Sequence, residues 1–145
     1  MGLSLSASFN GVQGRDILNV GNRYNNTPGT KSNNVTRKAF QNMWTDENPS
    51  NLYPKSTFVV QNMVMDRYVE DGSYLRCCDI TLSYVLPAKW TNKIGIKNTS
   101  VYASVKNAFV ITDYSGYDPE VNSFAFDGLR PGVDMNSYPT PRSFV

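Results

Sequence analysis

The sequence predicts an all-β chain, an antiparallel meander of membrane-crossing barrel strands with long loops at one end. Three observations point there. First, the stretch EDGSYLRCCDITLSYVLPAKW alternates from residue 78 onward: Cys78, Ile80, Leu82, Tyr84 and Leu86 fall on one side, and Asp79, Thr81 and Ser83 on the other. A period of two is that of a strand with two unlike faces. Second, hydrophobic residues make up 40% but charged residues only 18%, below the usual share of about a quarter. Asn, Ser, Thr, Gly and Tyr fill the difference, residues suited to strands, turns and polar loops. Third, the connections run long, short, long, as the outer loops and inner turns of transmembrane barrels do.

The first strand is expected over about 1–12, where Met1, Leu3, Leu5, Ala7 and Phe9 alternate with Gly2, Ser4, Ser6, Ser8 and Asn10. Residues 13–70 form a long, mostly irregular, Asn-rich region, with GNRYNNTPGTKSNN its most turn-like part. Inside it VTRKAFQNMW suits a short helix, closed by the turn-rich TDENPSNLYP. The second strand covers 74–86 and ends at Pro87, and a short connection of one helical turn follows over 87–98. A third strand over 99–112 sets Val101, Ala103 and Val105 against Tyr102, Ser104 and Lys106. Residues 113–139 are a Gly-, Pro- and Asp-rich loop, and 141–145 begin a further strand. The two long connections, about 58 and 27 residues, far exceed the ~4–6 typical of compact soluble domains.

On this reading the Ile80 and Leu82 face meets lipid, and the Asp79, Thr81 and Ser83 face lines a wet or protein-filled lumen. Tyr84 and Tyr102 lie beside Trp90 near the short turn, with Tyr74, Phe109 and Tyr114 toward the opposite end, as two interfacial aromatic bands would. No run of apolar residues is long enough for a transmembrane helix, which leaves barrel strands untouched. The opening MGLSLS fits a myristoylation pattern, but strand alternation explains it more simply. The chain reads as beginning inside a strand, as a fragment would.

Several chemistries are excluded. The chain has no histidine, so Ser-His-Asp and Cys-His nucleophile systems cannot be built. It carries no phosphate-cradling glycine loop or dinucleotide fingerprint, and a net charge of +2 with no basic patch argues against nucleic acid. Adjacent Cys77 and Cys78 suit neither a shared metal nor an ordinary disulfide. No enzyme activity and no cofactor are expected.

Four strings, in order along the chain, carry a resemblance. EDGSYLRCCDITLSYVLPAKW resembles the motif D-G-S-Y-L-R-L-K-N-I-T-L-G-Y, followed by L-P and a short turn, near the C-terminus of SusC/RagA-type TonB-dependent outer-membrane transporters. VYASVKNAFVITDYSGYDPEVN is similar to the next strand and outer loop of that family, WTDENPSNLYPK to its W-x-x-x-N-P and Y-P-R pieces, and YPTPRSFV to the approach to its last strand. Cys77 and Cys78 stand where Leu and Lys are usual, Asp79 for Asn and Ala108 for Leu. The resemblance implies that residues 1–145 are the C-terminal part of a barrel of about 22 strands. The plug domain and the segment that meets TonB would then lie upstream. It further implies an outer-membrane importer of glycan fragments or oligopeptides, energised through TonB and paired with a SusD-like lipoprotein.

Trp44, Tyr53, Phe58 and Tyr68 in the first long loop, and Tyr117, Asp118 and Glu120 in the second, are the candidate contacts for substrate or partner. Each has a plainer reading as loop packing. Asp118, Glu120, Asp127 and Asp134 offer oxygens to calcium, but their spacing matches no EF-hand. YDPE suits a tight turn with Asp118 capping and Pro119 fixing φ. A second function stays open, a soluble β-sandwich that binds carbohydrate.

Overall fold

The structure is a computed structural model that describes residues 2–27, 34–56, 65–96, 99–124 and 126–145. Its contacts divide the chain into two units: residues 1–14, 73–113 and 139–145, and residues 15–72 and 114–138.

The first unit is a four-stranded antiparallel sheet in sequential order β1-β4-β5-β7. Its strands are β1 (Gly2–Val12), β4 (Tyr74–Val85), β5 (Ser100–Thr112) and β7 (Ser143–Phe144). The expected bounds of 1–12, 74–86, 99–112 and 141–145 lie within two residues of these at every strand end. Between β4 and β5, Pro87 leads into α3 (Ala88–Thr91) and a 3-10 turn at Asn92–Ile94. Gly95 ends that turn at φ 73°, a left-handed conformation that glycine adopts without a Cβ clash.

Register turns the alternation into two chemical faces. Leu82 of β4 pairs with Leu5 on one side and Ala103 on the other, Ile80 with Ala7 and Val105, and Tyr84 with Leu3 and Val101. Between these rows run Ser6, Thr81 and Ser104, then Ser4, Ser83 and Tyr102. The serine row is bonded across strands, with Ser4 Oγ and Ser83 Oγ 2.7 Å apart. The apolar face is uncovered: Leu5 is 71% exposed and Leu82 45%. A soluble sandwich would bury that face, and an apolar surface this continuous marks contact with another apolar phase. The 12 residues of β4 extend roughly 40 Å at about 3.4 Å per residue. Tilted near 45°, they span close to 30 Å, the depth of a bilayer core.

The alternation does not hold throughout. Ser8 pairs with Asp79 but Phe9 with Cys77, and Cys77 pairs with Phe109 while Asp79 pairs with Lys106. Cys78 is therefore an extra residue in β4, and β5 adds one more opposite it, where Asn107 adopts φ 52°. Asparagine tolerates this left-handed conformation, and its Nδ2 donates to the Pro141 carbonyl at 2.9 Å. The double bulge corrects the expected faces: Cys77, not Cys78, shares the register of Ile80 and Leu82. Phe9 and Phe109 flank Cys77, their centroids 6.4 Å apart, and Cys77 is fully buried.

The aromatic bands are corrected as well. Tyr102 pairs with Ser83 and so lies on the polar face. Tyr74 is past the bulge, in the row of Val12 and Thr112, and its hydroxyl accepts from Asn10 Nδ2 at 3.4 Å. Tyr114 belongs to the second unit. Only Tyr84 and Phe109 of the five keep a place on the apolar face.

The second unit is built from the two long connections, and it is not irregular. β2 (Asp16–Asn19) pairs antiparallel with β3 (Val69–Asp71) and parallel with β6 (Val133–Asp134). The expectation of purely antiparallel strands is thus corrected here. α1 (Val20–Asn26) follows β2 directly, and α2 (Arg37–Asn42) forms inside the segment expected to be helical. Both are capped by side chains: Asn19 Oδ1 accepts from Asn22 N–H at 2.8 Å, and Thr36 Oγ1 from Ala39 N–H at 3.2 Å. Gly132, at φ 76°, lies where a Cβ would come 2.7 Å from the Asp16 carbonyl oxygen. Only glycine lets β6 approach β2 there, with Leu18 N–H bonded to Gly132 O at 2.8 Å. Ile17, Ala39, Pro119 and Val121 form a small buried apolar core.

The two faces make a direct test in the parent protein folded into lipid vesicles. Leu82→Arg should cost about 2–4 kcal/mol of folding free energy near the bilayer centre, and Ser83→Arg much less, as measured by denaturant titration. Leu82→Ala should cost less than about 3 kcal/mol, because lipid closes around the smaller side chain. A packed protein core would keep a cavity there, and the loss would reach roughly 2–5 kcal/mol.

Candidate functional site

The second unit encloses a cleft of about 440 Å3. One side is α1, whose Gly21, Asn22, Asn25 and Asn26 recur at helical spacing on a single face. Thr36 and Lys38 contribute from the start of α2. Tyr53 is brought in by a parallel bridge to Met43, reinforced by Trp44 N–H donating to Tyr53 O at 3.0 Å. The 115–117 segment and the 134–136 turn complete the lining. Gly21 leaves room for the tip of the Asn136 side chain, which a Cβ at that position would displace.

The floor is a hydrogen-bonded polar network. Glu70 Oε1 accepts from Asn22 Nδ2 at 2.8 Å and Asn19 Nδ2 at 3.1 Å, and its Oε2 accepts from Ser115 N–H at 2.9 Å. Asn26 donates to Asn22 and accepts from Thr36 Oγ1, which ties α1 to the cap of α2. Tyr114 donates its hydroxyl to Asp134 Oδ2 at 2.7 Å, and Asp134 Oδ1 accepts from Ser137 N–H at 3.1 Å. Burial, followed by the Asp134 carboxylate, pushes the Tyr114 hydroxyl far above its ordinary pKa, so it stays a donor. For Glu70, burial favours the protonated form, but the bonds from Ser115, Asn22 and Asn19 together outweigh it and hold the pKa below 4.5.

The candidate contacts fall into different roles. Tyr53 and Tyr117 come together on the cleft, and Tyr117 is 77% exposed. Trp44 is half-buried, tied to Tyr53 through its backbone N–H, with the Lys55 ammonium 4.9 Å from its ring centre. Tyr68 is buried, its hydroxyl 3.2 Å from Thr27 Oγ1. Asp118 is also buried, and its Oδ1 accepts from Glu120 N–H at 3.0 Å. With Pro119 packed in the interior, YDPE is the tight turn its residues suggest. Phe58 lies outside the described residues. Asp127 holds Leu129 N–H at 3.0 Å and Arg130 Nε at 2.6 Å, so the loop carboxylates serve separate turns. Among the described residues no three or more acidic, cysteine or histidine side chains gather as a metal site.

Of the cleft's amide residues, Asn19, Asn22, Asn26 and Asn136 were not singled out by the sequence. Asn and Gly are poor helix formers, and a turn was expected over GNRYNN. The available signal was Asn19 as a cap directly after the apolar pair Ile17 and Leu18.

No protein-family model matches the chain. Individual relatives do. A TonB-dependent receptor of Formosa agariphila is 32% identical over 151 aligned residues, covering 99% of this chain. The TonB-dependent receptor SusC of Bacteroides thetaiotaomicron is 33% identical over 145 residues, covering 98%. The solved RagAB peptide transporter superposes over 99% of the chain with a TM-score of 0.80 at 27% identity. The chain belongs to the SusC/RagA group of TonB-dependent receptors. These receptors are outer-membrane proteins and not enzymes. The receptor segment spans 15% of the Formosa protein, 12% of SusC and 15% of the RagAB chain.

The Glu70 network of this receptor segment should be sensitive to acid. A depressed carboxyl pKa contributes stability that is fully present above the ordinary value of 4.5 and is lost as pH falls through the lower folded value. Protection factors for hydrogen exchange of residues 66–72 and 114–117 in the detergent-solubilised parent, corrected for the intrinsic rate at each pH, should fall across that window. Glu70→Gln should flatten the pH dependence and raise exchange at neutral pH by an opening energy of about 1 kcal/mol. That is below the ~1.5–3 kcal/mol of a bond to a charged group, because the carboxylate is only half-buried and water screens it.

Proposed function

We propose that this chain forms barrel wall and outer loops of a TonB-dependent importer, which admits glycan fragments or oligopeptides together with a SusD-like surface lipoprotein. The observation that carries the reading is the match to SusC and RagAB over nearly the whole chain, on a sheet whose apolar face is bare. In this reading β1, β4, β5 and β7 are part of a closed barrel of about 22 strands, with the serine and threonine rows toward the lumen. Substrate passes that lumen, and the second unit is formed by the two long connections, read as outer loops. Tyr53 and Tyr117 are the proposed contacts among the sequence candidates, because they line a cleft. Tyr68 and Asp118 act by holding the loops in shape.

The connection from Pro87 should face the periplasm, since short turns do so in these barrels. The residues from Asp113 to Pro139 should face outward. An epitope inserted at Gly128, where a side chain would meet open space, should be labelled by antibody on intact cells. One inserted at Asn92 should be labelled only after the outer membrane is permeabilised. The reverse pattern would overturn the topology.

A further inference from the structure

The short connection between β4 and β5 has a charge and an exposure that its own folding does not explain. Residues 87–98 carry three lysines and no acidic residue, whereas 113–139 carry five acids and one cation. The turn is closed by its backbone. Leu86 N–H donates to Thr99 O at 2.9 Å, Trp90 N–H to Pro87 O at 2.9 Å and Ile96 N–H to Thr91 O at 3.1 Å. Pro87 and Thr91, four residues apart, are buried. Lys89, Trp90 and Lys93 are exposed, and Trp90 leaves 64% of its surface open. Among the described residues, none bonds to the ammonium groups of Lys89 and Lys93 or to the indole N–H of Trp90. Tryptophan is among the side chains with the most apolar area to lose from water, and here nothing within the chain takes it up.

We propose that this turn is a docking surface for anionic phospholipid, with Lys89 and Lys93 on the lipid phosphate and the Trp90 ring in the interface beside them. Two observations select a lipid as the occupant. The first is continuity with the bare apolar face of the sheet, whose last row before the turn is Leu3, Tyr84 and Val101. Leu3 is 70% exposed and Val101 53%. Indole favours the boundary between hydrocarbon and headgroup, because its ring is apolar and its N–H is wet. The second is charge complementarity. A lysine at that depth lays its alkyl stem along the apolar layer and puts its ammonium among the phosphates. Each cation near an anionic surface strengthens the contact about fivefold. A soluble anionic polymer would match the lysines but would leave Trp90 without an apolar partner. The inference rests on the importer reading above, in which the apolar face meets lipid and this turn is periplasmic, and it names the headgroup chemistry at the turn.

The test reads Trp90 in the full-length receptor reconstituted into phosphatidylcholine vesicles. Its fluorescence is taken as the difference between the receptor and its Trp90→Phe variant, so the readout is local to the turn. Phosphatidylglycerol or phosphatidylcholine, brominated on the upper acyl chain, is mixed in at graded fractions as the quencher. Both lipids should quench Trp90, and phosphatidylglycerol should do so with a relative affinity about fivefold higher or more. In the double variant Lys89→Gln and Lys93→Gln the two lipids should quench alike; both lysines are exposed, so the variant folds. Lys55→Gln, in the first long connection, should keep the preference. The proposal is overturned if neither lipid quenches Trp90, if both quench equally in the unaltered receptor, if the double variant keeps the preference, or if Lys55→Gln abolishes it. It is also overturned if millimolar inorganic phosphate, matched in ionic strength with chloride, removes the preference, which would assign the lysines to a soluble anion. Labelling of the Asn92 epitope on intact cells would sink the importer topology while leaving the quenching readable, and equal quenching would leave the topology standing.

Discussion

A strand in hydrocarbon can leave no backbone N–H or C=O without a partner, because lipid offers none. The rest of this chain is arranged around that requirement. β4 meets it inside the chain, paired from end to end with β1 on one side and β5 on the other. Pairing on both edges fixes which side chains share a row, and the rows then sort into an apolar face and a polar one. The consequence for the loops is equally direct. Val12, Tyr74 and Thr112 lie side by side at one end of the sheet, so both long connections depart from the same end and the short one from the other.

The second unit is stabilised on different terms. Its apolar core is only a handful of residues, and Ile17 and Pro119 are its largest fully buried side chains. Around that core the main work is done by Asn, Ser, Glu and Tyr acting on one another and on exposed backbone. Charge-assisted bonds of the Glu70 type are each stronger than neutral ones, but they depend on protonation state, and few apolar contacts stand behind them. Segments with so little buried apolar surface open locally at lower free energy than the strands they connect.

What the sequence disclosed follows from this contrast. The strands were legible because a two-faced environment imposes a period of two on every residue from Leu3 to Ala7, Ile80 to Tyr84 and Val101 to Val105. α2 was legible from its own composition and from the turn-rich TDENPSNLYP that closes it. The double bulge at Cys78 and Asn107 was not, because an inserted residue changes register without changing residue type. Tyr102 was counted in an aromatic band by its position along the strand, although the alternation already set it opposite Val101. α1 escaped because its asparagines are held by Glu70, Ser115 and Thr36, partners as many as 96 residues apart that no local pattern reveals. The cleft was half visible, through Tyr53 and Tyr117, while its amides come from two segments far apart in the chain.

The double bulge has a consequence for how the sheet finds its alignment. Inside–outside alternation is blind to a slip of two residues, since every apolar side chain would still share one face and every serine the other. A repetitive strand such as LSLSAS is therefore degenerate among registers two apart. The extra residue at Cys78 breaks that degeneracy, because only one alignment sets it against the left-handed Asn107 and leaves Cys77 roofed by Phe9 and Phe109. The irregularity works as a vernier: it gives the strands a single position at which they mesh, on a surface whose chemistry alone would accept several.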